Sequence, residues 1–357
     1  MAGRPLLVIR HVPWEGPHRI LDAFAGGSGA RSFGDGVNTS GPSYSPLSMS
    51  LNVEQIEQWY PILYLYRKED ADSGGAGMWR GGTGLRAAVT PYRAKSISII
   101  TNTAGQSVSA QNAPGLFGGF PSPAGHYIIK HETDLPLRMK EGRLPDDIGD
   151  LEAGRTVTLR AKSNGAALGD GDVFEIRIGG GGGYGDPLLR DAGRVVTDVA
   201  LGAVSRDAAK STYGVLVDDD GVLSETATAA LRKQLFDERG TWGRHTAAEP
   251  GLAQRVERTS AQRFVHESIV AADLAGKRVL ACAHCGSVLC GYGDDYRTGA
   301  LTHQGPVTLI PSAQDPAFYI DEDMVLRRSC CPGCHVQLSA EISRAQEPVA
   351  AEMRLLP

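Results

Sequence analysis

The chain reads as an α+β protein: a β-rich N-terminal domain with glycine-rich loops, a short helical segment, and a C-terminal β domain of the cysteine-ribbon kind. Three observations predict this. Glycine supplies 45 of 357 residues, well above the usual ~7%, and clusters in Gly26–Gly36, Gly74–Gly84 and Gly179–Gly185 between short β-branched and aromatic runs. After Gly185 the apolar period changes from alternation to helical spacing for residues 186–240. All six cysteines fall within Cys282–Cys334. The expected division is 1–185 (β-rich), 186–240 (helical), 241–276 (linker), 277–345 (cysteine domain) and 346–357 (tail).

Leu6–Arg10 reads as a short strand. Ala25–Pro46 is a long Gly/Ser/Asn/Asp/Pro segment with interspersed Arg31, Phe33 and Tyr44, expected as an ordered loop rather than an idle linker. Asn52 is placed to cap a short helix carrying Val53, Ile56 and Tyr60, ended by Pro61. Ile62–Arg67, Leu85–Tyr92, Ser96–Asn102, Tyr127–Lys130, Thr156–Arg160 and Val173–Ile178 read as strands. Gly169-Asp170-Gly171-Asp172 is a hairpin-type turn. The run Gly179–Gly183 has no side chains to bury. It is either a flexible linker or backbone that approaches a ligand or another chain closely.

Asp186 and Pro187 supply an N-cap and a first-turn proline. Ala192–Leu201, Ser205–Tyr213 and Thr226–Arg239 are expected helices, the last capped by Ser224 and stopped by Gly240. Asp218–Gly221 lacks the ligand spacing of a calcium loop and reads as a solvated turn.

Cys282-Ala283-His284-Cys285 and Cys331-Pro332-Gly333-Cys334 are two Cys-x-x-Cys knuckles. A two-residue spacer lets one tight turn aim both thiolates at one ion, so Cys282, Cys285, Cys331 and Cys334 are the expected ligands of a structural Zn²⁺ site. The module is therefore zinc-ribbon-like. Such a metal contributes ~10–16 kcal/mol of apparent folding free energy to a small domain. Cys290 and Cys330 lie close enough in sequence to substitute for a knuckle cysteine. His284 and His335 flank ligands and are expected to be exposed rather than bound. The gap between the knuckles is expected to hold strands at Val307–Ile310 and Phe318–Ile320.

The net charge of −5 argues against nucleic-acid or anionic-membrane binding. No run reaches the ~20 apolar residues of a membrane span. With clustered cysteines, this makes a cytoplasmic protein the expectation. The sequence shows no serine elbow, His-Glu-x-x-His or Walker lysine. His126 and His131 with Glu132 and Asp134 could form a small metal or acid–base cluster, though surface loop positions are the commoner origin of such a grouping.

Asn52–Gly84 and Gly179–Asp191 (GGGGGYGDPLLRD), with Val195–Val217 and the GDG-ending segment Ala25–Thr39, resemble the C-terminal part of the hydantoinase B/oxoprolinase family over roughly Val12–Val217. Lys277–Ala345 is similar to the small zinc-binding subunit of acetone and acetophenone carboxylases. The combination implies a subunit of an ATP-dependent multisubunit carboxylase acting on a ketone or phenol-like substrate with bicarbonate. The partners implied are an A-type ATP-binding subunit and a B-type N-terminal subunit, which would hold ATP and any divalent metal. This chain would supply cavity wall and assembly, and be inactive alone. The resemblance implies two alternatives, a hydantoinase/oxoprolinase-type amidohydrolase subunit and a non-catalytic zinc-containing scaffold. It carries no catalytic residue onto this chain, and it favours a close-approach role for the glycine run, against another subunit.

Overall fold

The computed structural model describes residues 5–11, 18–41, 52–103, 111–160, 162–244, 254–257 and 262–348. The expected tail beyond 348, parts of the expected linker (245–253 and 258–261) and the end of the Ala25–Pro46 segment lie outside these.

The N-terminal region is built on two antiparallel sheets. One has the order Lys162–Gly169, Ser96–Thr103, Pro5–His11, His18–Ala23. The other runs Ile62–Glu69, Leu85–Pro91, Val173–Arg177, His126–Thr133, Ala153–Leu159. Period-two patterning sends alternate residues to opposite faces. Ile97, Ile99 and Leu168 of the first sheet thus share a core with Tyr64, Val89, Tyr127, Ile129, Phe174 and Ile176 of the second. Fully burying each aliphatic or phenylalanine side chain here contributes about 1.5–3 kcal/mol. The other face of the five-stranded sheet, through Leu65, Ala88 and Val173, is covered by Leu135, Ile148 and Leu151. Leu85–Pro91 is consequently buried at every position.

The short helix Val53–Trp59 starts as its sequence requires, with Asn52 Oδ1 accepting from Gln55 N–H at 3.2 Å. After the glycine run, Asp186 caps a single 3-10 turn at Pro187–Leu189. Helices follow at Ala192–Ala200, Arg206–Ser211 and Glu225–Arg239. Asp191 and Ser205 cap the first two with side-chain hydrogen bonds, whereas Ser224 occupies the N-cap of the third without one. Gly240 ends that helix in right-handed backbone (φ −64). Its missing side chain matters for another reason: a Cβ there would stand 2.6 Å from His335 Cε1.

A two-stranded ribbon, Gln111–Ala113 with Ser122–Pro123, and two more four-stranded antiparallel sheets follow. One has the order Gly243–Arg244, Leu301–Pro306, Met324–Cys330, Gln337–Arg344. The other runs Arg263–His266, Ile269–Leu274, Lys277–Cys282, Val288–Gly291. The helices pack on the first through Val195, Ala208, Ala209 and Tyr213 against Val307, Ile310, Leu326 and Ala340. No helix among the described residues is long and apolar enough to cross a membrane.

The β-rich character and the C-terminal β domain match the fold class expected. Two local expectations need correction, and one strand was not foreseen. Residues 241–276, expected as a linker, carry the strands Arg263–His266 and Ile269–Leu274, which pair with each other, the second also with Lys277–Cys282; Ile269 and Val270 bury opposite faces of the inner strand in two separate apolar clusters. Val307–Ile310 and Phe318–Ile320 are not strands but sit at the 3-10 turns Val307–Leu309 and Pro316–Phe318. Pro306, Pro311 and Pro316 remove ladder donors there and fix φ. Finally, Lys162–Gly169 is a strand despite its polar composition, bulged at Asn164/Ala166 on the edge of its sheet.

Candidate metal centre and the glycine core

Gly179–Gly185 is buried throughout, and its backbone groups are bonded to several separate segments. Gly180 N–H donates to Ser73 O (2.9 Å), Gly181 N–H to Gly82 O (3.0 Å) and Gly183 N–H to Phe120 O (3.0 Å). Gly181 O accepts from Gly75 N–H, Gly182 O from Ala30 N–H and Gly183 O from Leu116 N–H. Backbone with no water must find such partners. The segments approach so closely that a Cβ on Gly181 would lie 1.9 Å from Ser28 O, and one on Gly182 1.9 Å from Pro114 O. Of the two readings of the run, this is the close-approach one, and its neighbours are this chain's own glycine loops.

Buried ion pairs surround this core. Arg190, 1% exposed, donates to both oxygens of Asp35 (2.7 and 2.8 Å) and to Asp198 Oδ2 (2.7 Å), while Arg80 reaches Asp198 Oδ1 at 3.3 Å. Burial alone would push the Asp35 carboxyl up, but the hydrogen bond and charge of Arg190 outweigh it and hold it below its ordinary value. Glu175, on the central strand of the five-stranded sheet, accepts from Arg86 Nε (2.5 Å), Arg177 Nε (3.0 Å) and Tyr66 OH. Burial would raise its pKa; His126, Arg177 and Arg86 outweigh that and hold it at about 2. A carboxylate so saturated with cations is a structural pin and a poor base. Asp70, nearby, is pushed by burial up to about 6.

These contacts separate the histidine–carboxylate grouping considered from sequence. His126 is buried, with Nε2 3.8 Å from Glu175 and Nδ1 2.7 Å from Gln314 Nε2. His131 instead bonds Asp172 at 2.8 Å, and Asp134 pairs with Arg138 at 2.6 Å. The four do not converge, and both histidines lie on the strand His126–Thr133 rather than on a loop.

The cysteines do converge. The Sγ atoms of Cys282, Cys285, Cys331 and Cys334 all lie within 4.8 Å of one another. Cys282 ends a strand of one C-terminal sheet, and Cys331 directly follows Met324–Cys330 of the other. The two knuckles are built alike. Gly286 N–H closes on Cys282 O (2.8 Å) and His335 N–H on Cys331 O (3.0 Å). Cys282 N–H then donates to Ser287 O and Cys331 N–H to Val336 O, both at 2.9 Å. Each turn ends in left-handed backbone, at Gly286 (φ 76) and His335 (φ 62). The Cys282–Cys334 and Cys285–Cys331 sulfur separations are 3.6 and 3.5 Å. They are too long for a disulfide and close to the ~3.8 Å edge of a tetrahedron with ~2.3 Å metal–sulfur bonds.

Gly333 N–H reaches Cys331 Sγ at 3.3 Å, and Ser287 Oγ lies 3.2 Å from Cys285 Sγ. In the shared proton network, contact with Cys282 pushes Cys285 and Cys331 down. Cys282 is pushed up by Cys285, and Cys334 by Cys282. This is the donor set of a site that can hold one soft or borderline metal ion.

Cys290 and Cys330 stand apart. Cys290 Sγ faces Asp294 O at 3.5 Å, Cys330 Sγ faces Arg239 O at 3.8 Å, and burial pushes both thiols up to about 12. Among the flanking histidines, His284 is exposed and contacts Ser268, whereas His335 is half-buried against Gly240. Sequence reasoning did not pick out Glu175, and took Asp186 as an N-cap without its pairing to Arg239. The signal for Glu175 was a lone acid inside the apolar strand Val173–Arg177.

The cysteine turn and the glycine core are joined directly. Asp186 pairs with buried Arg239 (2.5 and 3.0 Å) and accepts from Gln337 N–H (2.8 Å). Gln337 Nε2 donates to Gly118 O (2.7 Å), and His335 O accepts from Arg239.

Comparison with known proteins places this geometry. The chain is 33% identical over 217 residues to the caprolactamase subunit beta of Pseudomonas jessenii, covering 60% of this chain and 33% of that one. It is 28% identical over 235 residues to the acetone carboxylase alpha subunit of Xanthobacter autotrophicus, covering 61% of this chain and 30% of the relative. A nucleotide-free structure of acetone carboxylase superposes with a TM-score of 0.57 at 26% identity, over 66% of this chain and 33% of its own. The chain thus spans about a third of the length of these relatives. The hydantoinase B/oxoprolinase family model matches residues 5–187, from the first described strand through the glycine run to the Asp186–Pro187 cap, and the chain belongs to that family.

Proposed function

We propose that the chain is a subunit of an ATP-dependent multisubunit carboxylase acting on a ketone, aromatic ketone or phenol-like substrate. It contributes cavity wall and assembly, while an A-type partner binds ATP and a B-type N-terminal partner completes the site. The observation that carries this reading is the junction of a hydantoinase B fold to a four-cysteine module. Similarity to acetone carboxylase alpha and to the acetophenone carboxylase delta subunit of Aromatoleum aromaticum, 27% identical over 205 residues, supports it. The saturated ion pairs around Arg190 and Glu175 support a supporting rather than a catalytic role. Bicarbonate is the expected co-substrate and the cytoplasm the expected compartment. The metal is Zn²⁺, held structurally by Cys282, Cys285, Cys331 and Cys334, because four protein thiolates leave no coordination position for substrate.

The test is ATP-dependent fixation of labelled bicarbonate by the chain combined with A-type and N-terminal B-type partners. Fixation is expected only in the full mixture; equal turnover by the partners without this chain refutes the proposal. The similarity to caprolactamase subunit beta favours a second reading, ATP-dependent amide hydrolysis. That reading predicts amino acid release without any bicarbonate requirement. A purely scaffolding role predicts that the partners keep their intrinsic chemistry when residues 277–357 are deleted and only assembly is lost.

A further inference from the structure

Between the helical segment and the C-terminal sheet lies a cavity of about 430 Å³, distinct from the cysteine cluster. Phe120, Leu188, Leu235 and Leu309 give it apolar walls, and Trp242, His303, Arg239 and Arg328 also line it. His303 and Arg328 are cross-strand partners, so their side chains leave the same face of the sheet. The Arg328 guanidinium sits over the Trp242 ring at 4.8 Å, and Trp242 stacks on His303 at 5.3 Å.

Charge is the unusual feature. Arg239 is neutralised by Asp186 at 2.5 Å. Among the described residues no carboxylate pairs with Arg328, and its Nε is buried without a hydrogen-bond partner. His303 Nδ1 is buried and unpartnered too. The acid lining the cavity, Glu238, is engaged by Gln234 Nε2 at 2.8 Å. Burial and repulsion from Arg239 outweigh the attraction of Asp186 and push the Arg328 pKa down to about 10, the direction expected for a buried cation with no carboxylate in direct contact.

A guanidinium fork with no anion, beside apolar walls, is complementary to a carboxylate on an apolar body. We propose that this cavity binds a small organic carboxylate, with Arg328 as its charge partner and the Phe120–Leu188–Leu235–Leu309 wall taking its apolar part. The inference rests neither on the metal nor on the reaction proposed above.

Calorimetric titration of the full chain tests it, with benzoate as probe and benzamide and inorganic phosphate as comparators. Saturable benzoate binding is expected, with benzamide and phosphate each at least about tenfold weaker. Arg328→Met should weaken benzoate by a similar factor, and Arg328→Lys by less, since the charge remains without the fork. The Arg328→Met protein should melt no lower than the parent, because it loses a buried cation with no paired carboxylate while a thioether keeps contact with the Trp242 ring; that separates lost binding from lost folding. No saturable benzoate binding up to about 10 mM, equal binding of benzamide or phosphate, or undiminished binding by folded Arg328→Met overturns the proposal.

Discussion

Alanine at Gly181 should be among the most damaging single-methyl additions this fold can receive. The new Cβ would stand 1.9 Å from Ser28 O, where real Cβ contacts stay beyond 3.0 Å, so the two backbones must part by at least about 1.1 Å (3.0 − 1.9). Neither neighbour is a side chain that can swing aside. Gly181 is held by hydrogen bonds of 3.0 Å to Gly82 O and 2.8 Å from Gly75 N–H, and such a displacement takes them toward 4 Å, beyond useful geometry. Leaving buried backbone groups unpaired costs about 1–3 kcal/mol each, and overpacking a filled interior adds about 1–3 kcal/mol. The expected loss is therefore about 3–9 kcal/mol, a large part of the ~5–15 kcal/mol by which domains are stable. Gly293→Ala is the control, since nothing lies within 4 Å of its Cβ and φ is not positive; it should cost no more than about 0.5 kcal/mol. Urea denaturation followed by near-ultraviolet circular dichroism compares the two. If Gly181→Ala unfolds at the same midpoint as Gly293→Ala, the glycine segments are not packed backbone to backbone and the argument fails.

Metal analysis of the purified chain should give about one zinc per chain, and Cys331→Ser should lower both that content and the melting temperature; a folded, metal-free parent refutes the zinc assignment. Asp186→Asn leaves Arg239 buried without its counter-ion and should cost about 3–5 kcal/mol, part of which Arg239→Met in the same chain should restore; an Asp186→Asn midpoint equal to the parent's contradicts this. Asp70 has a folded pKa raised from 3.8 to about 6. The folded protein therefore holds that proton more tightly, and the associated stability is present below about pH 4 and lost as pH rises to 6. Asp70→Asn should leave stability nearly unchanged at pH 4 and raise it by up to about 3 kcal/mol above pH 6; a gain equal at both pH values rules out the titration.

Local chemistry was the legible part of the sequence. Asn52 and Asp186 cap as their side chains dictate, the helices after Asp191 follow apolar spacing, and each knuckle aims its two thiolates together because a two-residue spacer permits little else. What could not be read depends on partners far away in the chain. Nothing in five glycines says that Ser73, Gly82, Ala30, Leu116 and Phe120 will meet them, since residues without side chains carry no complementary pattern. Lys162–Gly169 was missed because an edge strand needs only one apolar side, and Leu168 is its one fully buried large residue. Inside 241–276 only Arg263–His266 is such an edge strand; Ile269–Leu274 is internal, and its short apolar run was hidden by the polar residues around it. At Val307–Ile310 the β-branched residues pointed to a strand, but the flanking prolines decided the outcome.

The bridge from Gln337 to Asp186 and Gly118 has a consequence for how the two regions came to share one polypeptide. Their contact adds these buried polar pairs to the apolar cluster of Val195, Ala208, Ala209 and Tyr213 with Val307, Ile310, Leu326 and Ala340, and as separate chains the two would still have to overcome the loss of translational freedom on meeting. Carried on one chain, the same contact forms at an effective concentration set by the connecting segment. It therefore closes without an encounter between separate chains. Covalent linkage in that case adds to affinity, and cutting the chain between Arg244 and Gln254 should make retention of the cysteine region depend on concentration.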